Sequence, residues 1–307
     1  MKILIRLVSL ALLLSLGCSK TAEQRANKVI GVSLLARQHE FYRDLESTLQ
    51  SEAAKHGFEL LIASADFDLG KQSAQVEDFI VRRVDAIILC PVDSRGIAPA
   101  IKKAQNAAIP VFTADIAAEE GEVVCHIASD NLAGGRMAAE YLAKLLNGRG
   151  KVALLTHPNV MSALDRVQGF KEAIAAFPEV KIVAEVSGEG VRDKAMPAAV
   201  DILQAHPELD GIFGINDDSA LGALDALQQL QRTEVVIVGY DGMPQALDAI
   251  RKGTALKADV VQYPKRIGET TIAKIADYFN GITVPKIVPV DVGIVDQASL
   301  QSAAPGQ

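Results

Sequence analysis

Residues 211–221 read GIFGINDDSAL: an apolar run that ends on an amide and two carboxylates, Asn216, Asp217 and Asp218, before a helix-like SALGALDAL begins. The run has the composition of a strand covered on both faces, and Asn or Asp at its end is a favoured helix N-cap. The unit is therefore strand, polar turn, helix. The same unit recurs along the chain. KVIGVSLL precedes FYRDLESTLQSEAAKHG, FELLIAS precedes KQSAQVEDFIVRRV, DAIILC precedes GIAPAIKKAQNA, and IPVFTAD follows. After VVCHIASD and a helix predicted over 132–146 the theme restarts with KVALLTH, VKIVAEVS, DGIFGIN, EVVIVGYDG and ALKADVVQ, with helices predicted over 162–177, 194–205 and 219–230. Nearly all these strands are continuously apolar, which predicts parallel sheets with helices on both faces. No Pro/Ser/Gly linker separates the halves, so they are predicted to be joined by short strand-like crossings. The fold class is α/β: two similar doubly wound parallel-sheet lobes with a cleft between them.

The whole chain fits two medium domains: 307 residues, 49% hydrophobic and 22% charged. The formal charge of −7 and the absence of a Lys/Arg block exclude a nucleic-acid backbone as partner. Residues 1–17 carry Lys2 and Arg6, the apolar run LVSLALLLSL and then Gly17 before Cys18. The run is short and is followed at once by polar SKTAEQ, so it reads as an export signal rather than a membrane span. Gly17-Cys18 resembles the bacterial lipoprotein processing site, with Ser15 where Leu is commonest, so Cys18 is expected to be lipidated and residues 18–27 to form a tether. The expected location is the periplasm or cell envelope. Cys90 and Cys125, both in apolar runs, could pair in an oxidising compartment, but the plainer reading is two separate buried thiols. The five His show no HExxH or i, i+4 pair, and no metal or cofactor is expected.

In open α/β sheets ligands bind beyond the carboxyl ends of the strands. That rule selects His39, Phe41 and Tyr42 after the first strand, Asp115 after IPVFTA, Asn216 after GIFGI, Tyr240 and Asp241 after VVIVG, Gln262 after KADVV, and Arg166 near the start of the helix after KVALLTH. Sugar hydroxyls are donors and acceptors at once, and this set offers carboxylates, amides and a forked guanidinium to meet them. With no Trp in the chain, Phe41 and Tyr42 would have to cover the apolar face of a sugar ring. Each residue also has a plainer role. Asn216 and Asp217 can cap a helix, Asp241-Gly242 is a common turn pair, Phe41 and Tyr42 can pack a helix on the sheet, and Arg166 can pair with a carboxylate. Their shared place at strand ends favours a binding site.

From about Lys28 to Val292 the sequence resembles the periplasmic sugar-binding proteins of the ribose-binding type, which serve ATP-driven importers. The resemblance rests on VSLL…EFY, AIILCPVDS, AAIPVFTADI, GEVVCHIASDN followed by AGG, DRVQGF, AHPELDGIFGINDDSALGAL, VVIVGYDGMPQAL and Gln262-Tyr263-Pro264, in the family's order. It implies that Phe41 and Tyr42 sandwich a sugar, and that Asp115, Arg166, Asn216, Asp241 and Gln262 bind its hydroxyls and ring oxygen. It implies a first lobe of residues 28–129 plus 263–291 and a second of 130–262 plus 292–307. Hinge crossings would lie at Ser129-Asp130, Gln262-Tyr263 and Asp291-Val292. It implies capture by closure, a membrane permease as partner and no catalysis; the protein is expected to act as a monomer. Three departures put ribose itself in doubt: Ile116 stands where the ribose-binding pattern has Arg, His39-Glu40 replace an Asn before the aromatics, and an aromatic expected near Gly190 is missing. Another pentose, a hexose, a deoxysugar or a polyol fits as well. A lactose-repressor-type regulator would need a helix-turn-helix where the export signal stands. An exported enzyme would need a nucleophile elbow, P-loop or dinucleotide fingerprint that the chain lacks. A sensor lipoprotein that shows bound sugar to a receptor kinase or chemoreceptor is the remaining alternative.

Overall fold

The computed structural model describes residues 27–302, so the expected export signal, the expected lipidation site Cys18 and all but the end of the expected tether lie outside the described residues. The first half runs β1 (Val29–Leu34), α1 (Glu40–Lys55), β2 (Glu59–Ser64), α2 (Leu69–Val81), β3 (Ala86–Leu89), α3 (Ala98–Asn106), β4 (Val111–Ala114) and β5 (His126–Ser129). The second runs α4 (Asn131–Leu145), β6 (Arg149–Thr156), α5 (Met161–Ile174), β7 (Glu179–Ser187), α6 (Arg192–Ala205), β8 (Gly211–Gly214), α7 (Asp217–Gln229), β9 (Val236–Asp241), α8 (Pro244–Arg251) and β10 (Leu256–Val261). Then follow α9 (Pro264–Phe279), β11 (Ile287–Val290), β12 (Gly293–Asp296) and α10 (Gln297–Ser302).

The strands form two six-stranded sheets, ordered β11-β5-β4-β3-β1-β2 and β12-β10-β9-β8-β6-β7. Central strands β1, β3, β4 and β8 are buried along their whole length, as their unbroken apolar sequences require. Fully burying each Ile, Leu or Val there stabilises by about 1.5–3 kcal/mol relative to exposure. Edge strands β2 and β7 carry Glu59, Glu179, Lys181 and Glu185 and stay partly open to water.

Three segments lead from one sheet to the other: 129–131 between β5 and α4, 262–263 between β10 and α9, and 291–292 between β11 and β12. They run side by side, with Asp130 N donating to Val290 O at 2.9 Å. Helix α9 packs on α1 of the first lobe, while α4 packs on α5 of the second. The first sheet is parallel throughout. The second departs from the all-parallel expectation, because β12 lies antiparallel to β10. The cause is the chain path. β11 runs toward the cleft, and after only two residues the chain enters the second sheet from the cleft side, so β12 must run away from it.

Glycines set the closest helix contact. Gly135 on α4 and Gly169 on α5 leave no room for a methyl group, since a Cβ at either would collide with the carbonyl of Arg166 or of Leu132. A Cβ at Gly134 would strike the Tyr240 ring. The AGG of α4 thus fixes α5, and with it Arg166, against β9. Cys90 and Cys125 are both free and buried, as the sequence suggests.

Candidate functional site

Eight of the nine residues selected from the sequence come together around one narrow cavity between the lobes: His39, Phe41, Tyr42, Asp115, Arg166, Asn216, Asp241 and Gln262. A larger, more open hollow lies elsewhere, around Lys102, Tyr278 and Ile282. The smaller one is the functional candidate, because charged and amide groups from both lobes converge there.

Tyr240 is the exception. Side chains alternate along β9, so while Asp241 reaches the cleft, Tyr240 points into the core and is fully buried. Its ring lies under the Arg166 guanidinium, 3.8 Å from centroid to Cζ, and its hydroxyl donates to Asn131 Oδ1 at 3.3 Å. It supports the site without lining it.

Arg166 is the hub. Its Nε donates to Asn131 Oδ1 at 2.8 Å, and its Nη1 to Ile215 O at 2.7 Å and to Asp241 Oδ1 at 3.4 Å. Planar stacking on Tyr240 and three polar partners hold the guanidinium in one orientation. Asp241 Oδ1 also accepts from Gln262 Nε2 at 2.6 Å. Asn216 caps α7 by accepting from Ser219 N at 2.9 Å, and its amide donates to Gly190 O at 2.9 Å. The cap and the cavity wall are one side chain, which answers why the apolar run of β8 stops on an amide.

On the first lobe, Asp115 adopts φ 67°, a left-handed backbone that turns the chain sharply after β4. Its Oδ2 accepts from the Tyr42 hydroxyl at 2.5 Å. Burial pushes the Asp115 carboxyl up to about 6, with the Tyr42 hydrogen bond and the charge of Arg166 acting against that rise. Phe41 and Tyr42 do not form the two facing slabs of a sandwich. Their rings meet edge to face at 5.2 Å and 78°, so no sugar ring fits between them and the pair makes one wall.

The lobes are in contact across the cleft. Ser94 N donates to Asn159 O and Met161 N to Ser94 Oγ, both at 2.9 Å. His39 Nε2 approaches Asp241 Oδ2 at 3.7 Å and Asp218 Oδ2 at 3.8 Å. Two sealed polar atoms of lining residues, Gln262 Oε1 and His39 Nδ1, have no partner among the described residues. Buried polar atoms are rarely left unpaired, so these mark where a polar ligand would bond.

Sequence reasoning missed His157, Phe67 and Ser162, which also line the cavity. His157 directly follows β6, so the strand-end rule could have found it. The three sequence departures all fall on the cavity wall: Ile116, His39 and Gly190.

Two α/β lobes that meet around a polar cavity define a two-lobed protein with a ligand site between its lobes. Comparison with known proteins agrees. Residues 30–283 match the family described as periplasmic binding protein domain, and the chain belongs to this family of solute-binding proteins, which are not enzymes. The chain is 33% identical over 291 residues to the ribose import binding protein RbsB of Escherichia coli K12, covering 94% of this chain and 98% of that one. Its fold matches a solute-binding protein of Actinobacillus succinogenes 130z solved with D-allose, with TM-score 0.82 and 28% identity, covering 90% of this chain and 99% of that one. It also matches the fructose-binding periplasmic domain of the hybrid two-component system BT1754, with TM-score 0.84 and 26% identity, covering 90% and 92%. The protein is an extracytoplasmic solute-binding protein of the type I fold.

Proposed function

We propose that the protein captures a monosaccharide or related polyol by hinge closure and delivers it to the permease of an ABC importer. The observation that carries this reading is the mixed lining of the interlobe cavity. Acceptors on Asp115, Asp241 and Gln262, donors on Arg166 and Asn216, and the wall of Phe41 and Tyr42 suit a ligand with hydroxyls on its edge and C–H groups on its face. The relatives and neighbours carry ribose, D-allose and fructose in their descriptions, which supports the class while leaving the sugar open. Ile116 brings no donor to the cavity, and Gly190 brings no aromatic ring. Discrimination between sugars is assigned to these two positions and to His39. Lobe boundaries at 129/130, 262/263 and 291/292 would act as the hinge. Export through residues 1–17 and lipidation of Cys18 would hold the protein at the membrane beside the permease.

The test is a thermal screen of refolded protein against pentoses, hexoses, deoxysugars and polyols at millimolar concentration, with D-ribose, D-allose and D-fructose included. A micromolar binder stabilises by about 4 kcal/mol at that excess, seen as a midpoint rise of several degrees. One or a few such hits are expected, and no shift with any member would sink the sugar reading. The likeness to a two-component periplasmic domain favours one second reading, a ligand-presenting sensor. Uptake of the selected sugar by a strain lacking the gene separates the two: transport is lost for an importer component and kept for a sensor.

A further inference from the structure

Behind the cleft lies a pair of carboxylates that the binding site does not use. Asp217 opens α7, and Asp259 sits in the middle of β10 opposite Gly239 of β9; both side chains are buried. Each uses one oxygen to hold the turn that follows β9. Asp217 Oδ2 accepts from Met243 N at 2.6 Å, and Asp259 Oδ1 from Gly242 N at 3.2 Å. The other oxygens, Asp217 Oδ1 and Asp259 Oδ2, are sealed from water and have no donor among the described residues. Both face the same spot, 3.1 and 2.9 Å from where a Cβ on Gly239 would stand. Two ionised carboxylates so enclosed would repel at low dielectric, whereas one proton between them satisfies both free oxygens.

The turn they hold is the one that presents Asp241 to the cavity. Its backbone is unusual, with Asp241 at φ 132° and Gly242 at φ 80°, a shape that persists only when neighbours enforce it. We propose that Asp217 and Asp259 are positioning residues: a single shared proton lets them clamp the Asp241–Met243 turn, and ligand capture weakens in alkaline medium as that proton is lost. This rests on the cleft being the ligand site.

The surroundings support a retained proton. Burial is the main cause raising both carboxyls, Asp259 to about 7; for Asp217 the next cause is the charge of Asp259. Asp241 raises both, and Arg166 acts against it at Asp259. The other charged groups nearby are engaged elsewhere. Asp218 of α7 faces His39, Asp296 of β12 accepts from Tyr141, Arg192 of α6 pairs with Asp225 of α7, and Asp248 and Lys252 pair at the α8 surface. Arg251 on α8 is exposed, and Lys257 on β10 is half-buried. A carboxyl raised by folding stabilises fully below its unfolded value near 4 and loses that contribution as pH rises through its folded value. For Asp259 the window runs from about 4 to about 7.

The test compares wild type with Asp259→Asn, whose amide donates permanently to Asp217 Oδ1, and with Asp217→Asn, which places the donor on the other partner and serves if the first variant fails to fold. Urea unfolding of ligand-free protein is followed from pH 5 to pH 9. Wild type should lose stability across that range more steeply than either variant; equal slopes overturn the proposal. Affinity for the panel sugar giving the largest thermal shift should fall about three- to tenfold from pH 6 to pH 9 in wild type and stay within about twofold in the variants. The same pH dependence in variant and wild type overturns it. His39, His157, Asp115 and Asp218 are common to all three proteins, so the difference isolates the pair. The unfolding arm needs no sugar, so it stands or falls separately from the sugar reading.

Discussion

Replacing Arg166 with alanine is expected to abolish sugar binding and to lower stability by about 3–5 kcal/mol, the cost of removing one partner from a buried charged network. The guanidinium is nearly sealed and serves Asn131, Ile215 and Asp241 at once. Its loss leaves Asp241 buried beside the Asp217–Asp259 pair with only the Gln262 amide as a side-chain donor. It also removes the lid from the Tyr240 ring. Arg166→Lys should recover part of the stability and little of the binding, because an ammonium supplies charge but not the planar fork. Urea denaturation with a titration of the selected sugar reads both effects. An alanine variant as stable as wild type would show that the network is not stressed by losing its centre.

Asp115→Asn has the opposite signature. Affinity should fall by about 2–4 kcal/mol, roughly thirty- to a thousandfold, if the carboxylate accepts buried ligand hydroxyls. Stability at neutral pH should hold or rise. The sign follows from burial, which raises the Asp115 carboxyl to about 6. Folding therefore favours its protonated form, and wild type loses stability as pH climbs from about 4 to about 6. Asparagine carries no such titration and keeps a hydrogen-bonding group for Tyr42. Thermal midpoints at pH 4.5 and 7.5 should converge for the variant relative to wild type. A variant that binds sugar like wild type would remove Asp115 from the site.

The layout was legible because the central parallel strands are continuous apolar runs, and ligands meet such sheets at strand ends. That rule, with Arg166 taken from the helix after KVALLTH, led to eight side chains that share a cavity. It failed at Tyr240, where in–out alternation turns one neighbour into the core while Asp241 faces the cleft. The edge-to-face meeting of Phe41 and Tyr42 depends on how α1 starts, with His39 extended at the N-cap, and spacing does not encode ring planes. Asp259 was hidden inside ALKADVV because its partner, Asp217, lies far away in sequence and meets it only across Gly239. The antiparallel β12 depends on a two-residue crossing, which local pattern does not announce.

Capture is proposed to proceed by closure of the two lobes over a sugar. Small-angle X-ray scattering of the refolded protein with and without the sugar selected by thermal screening tests it most directly. Ligand-loaded protein should scatter as the closed form, with Ser94 against Asn159 and Met161, and ligand-free protein should show a larger radius of gyration. Identical curves with a saturating, tightly bound sugar would contradict closure as the mechanism.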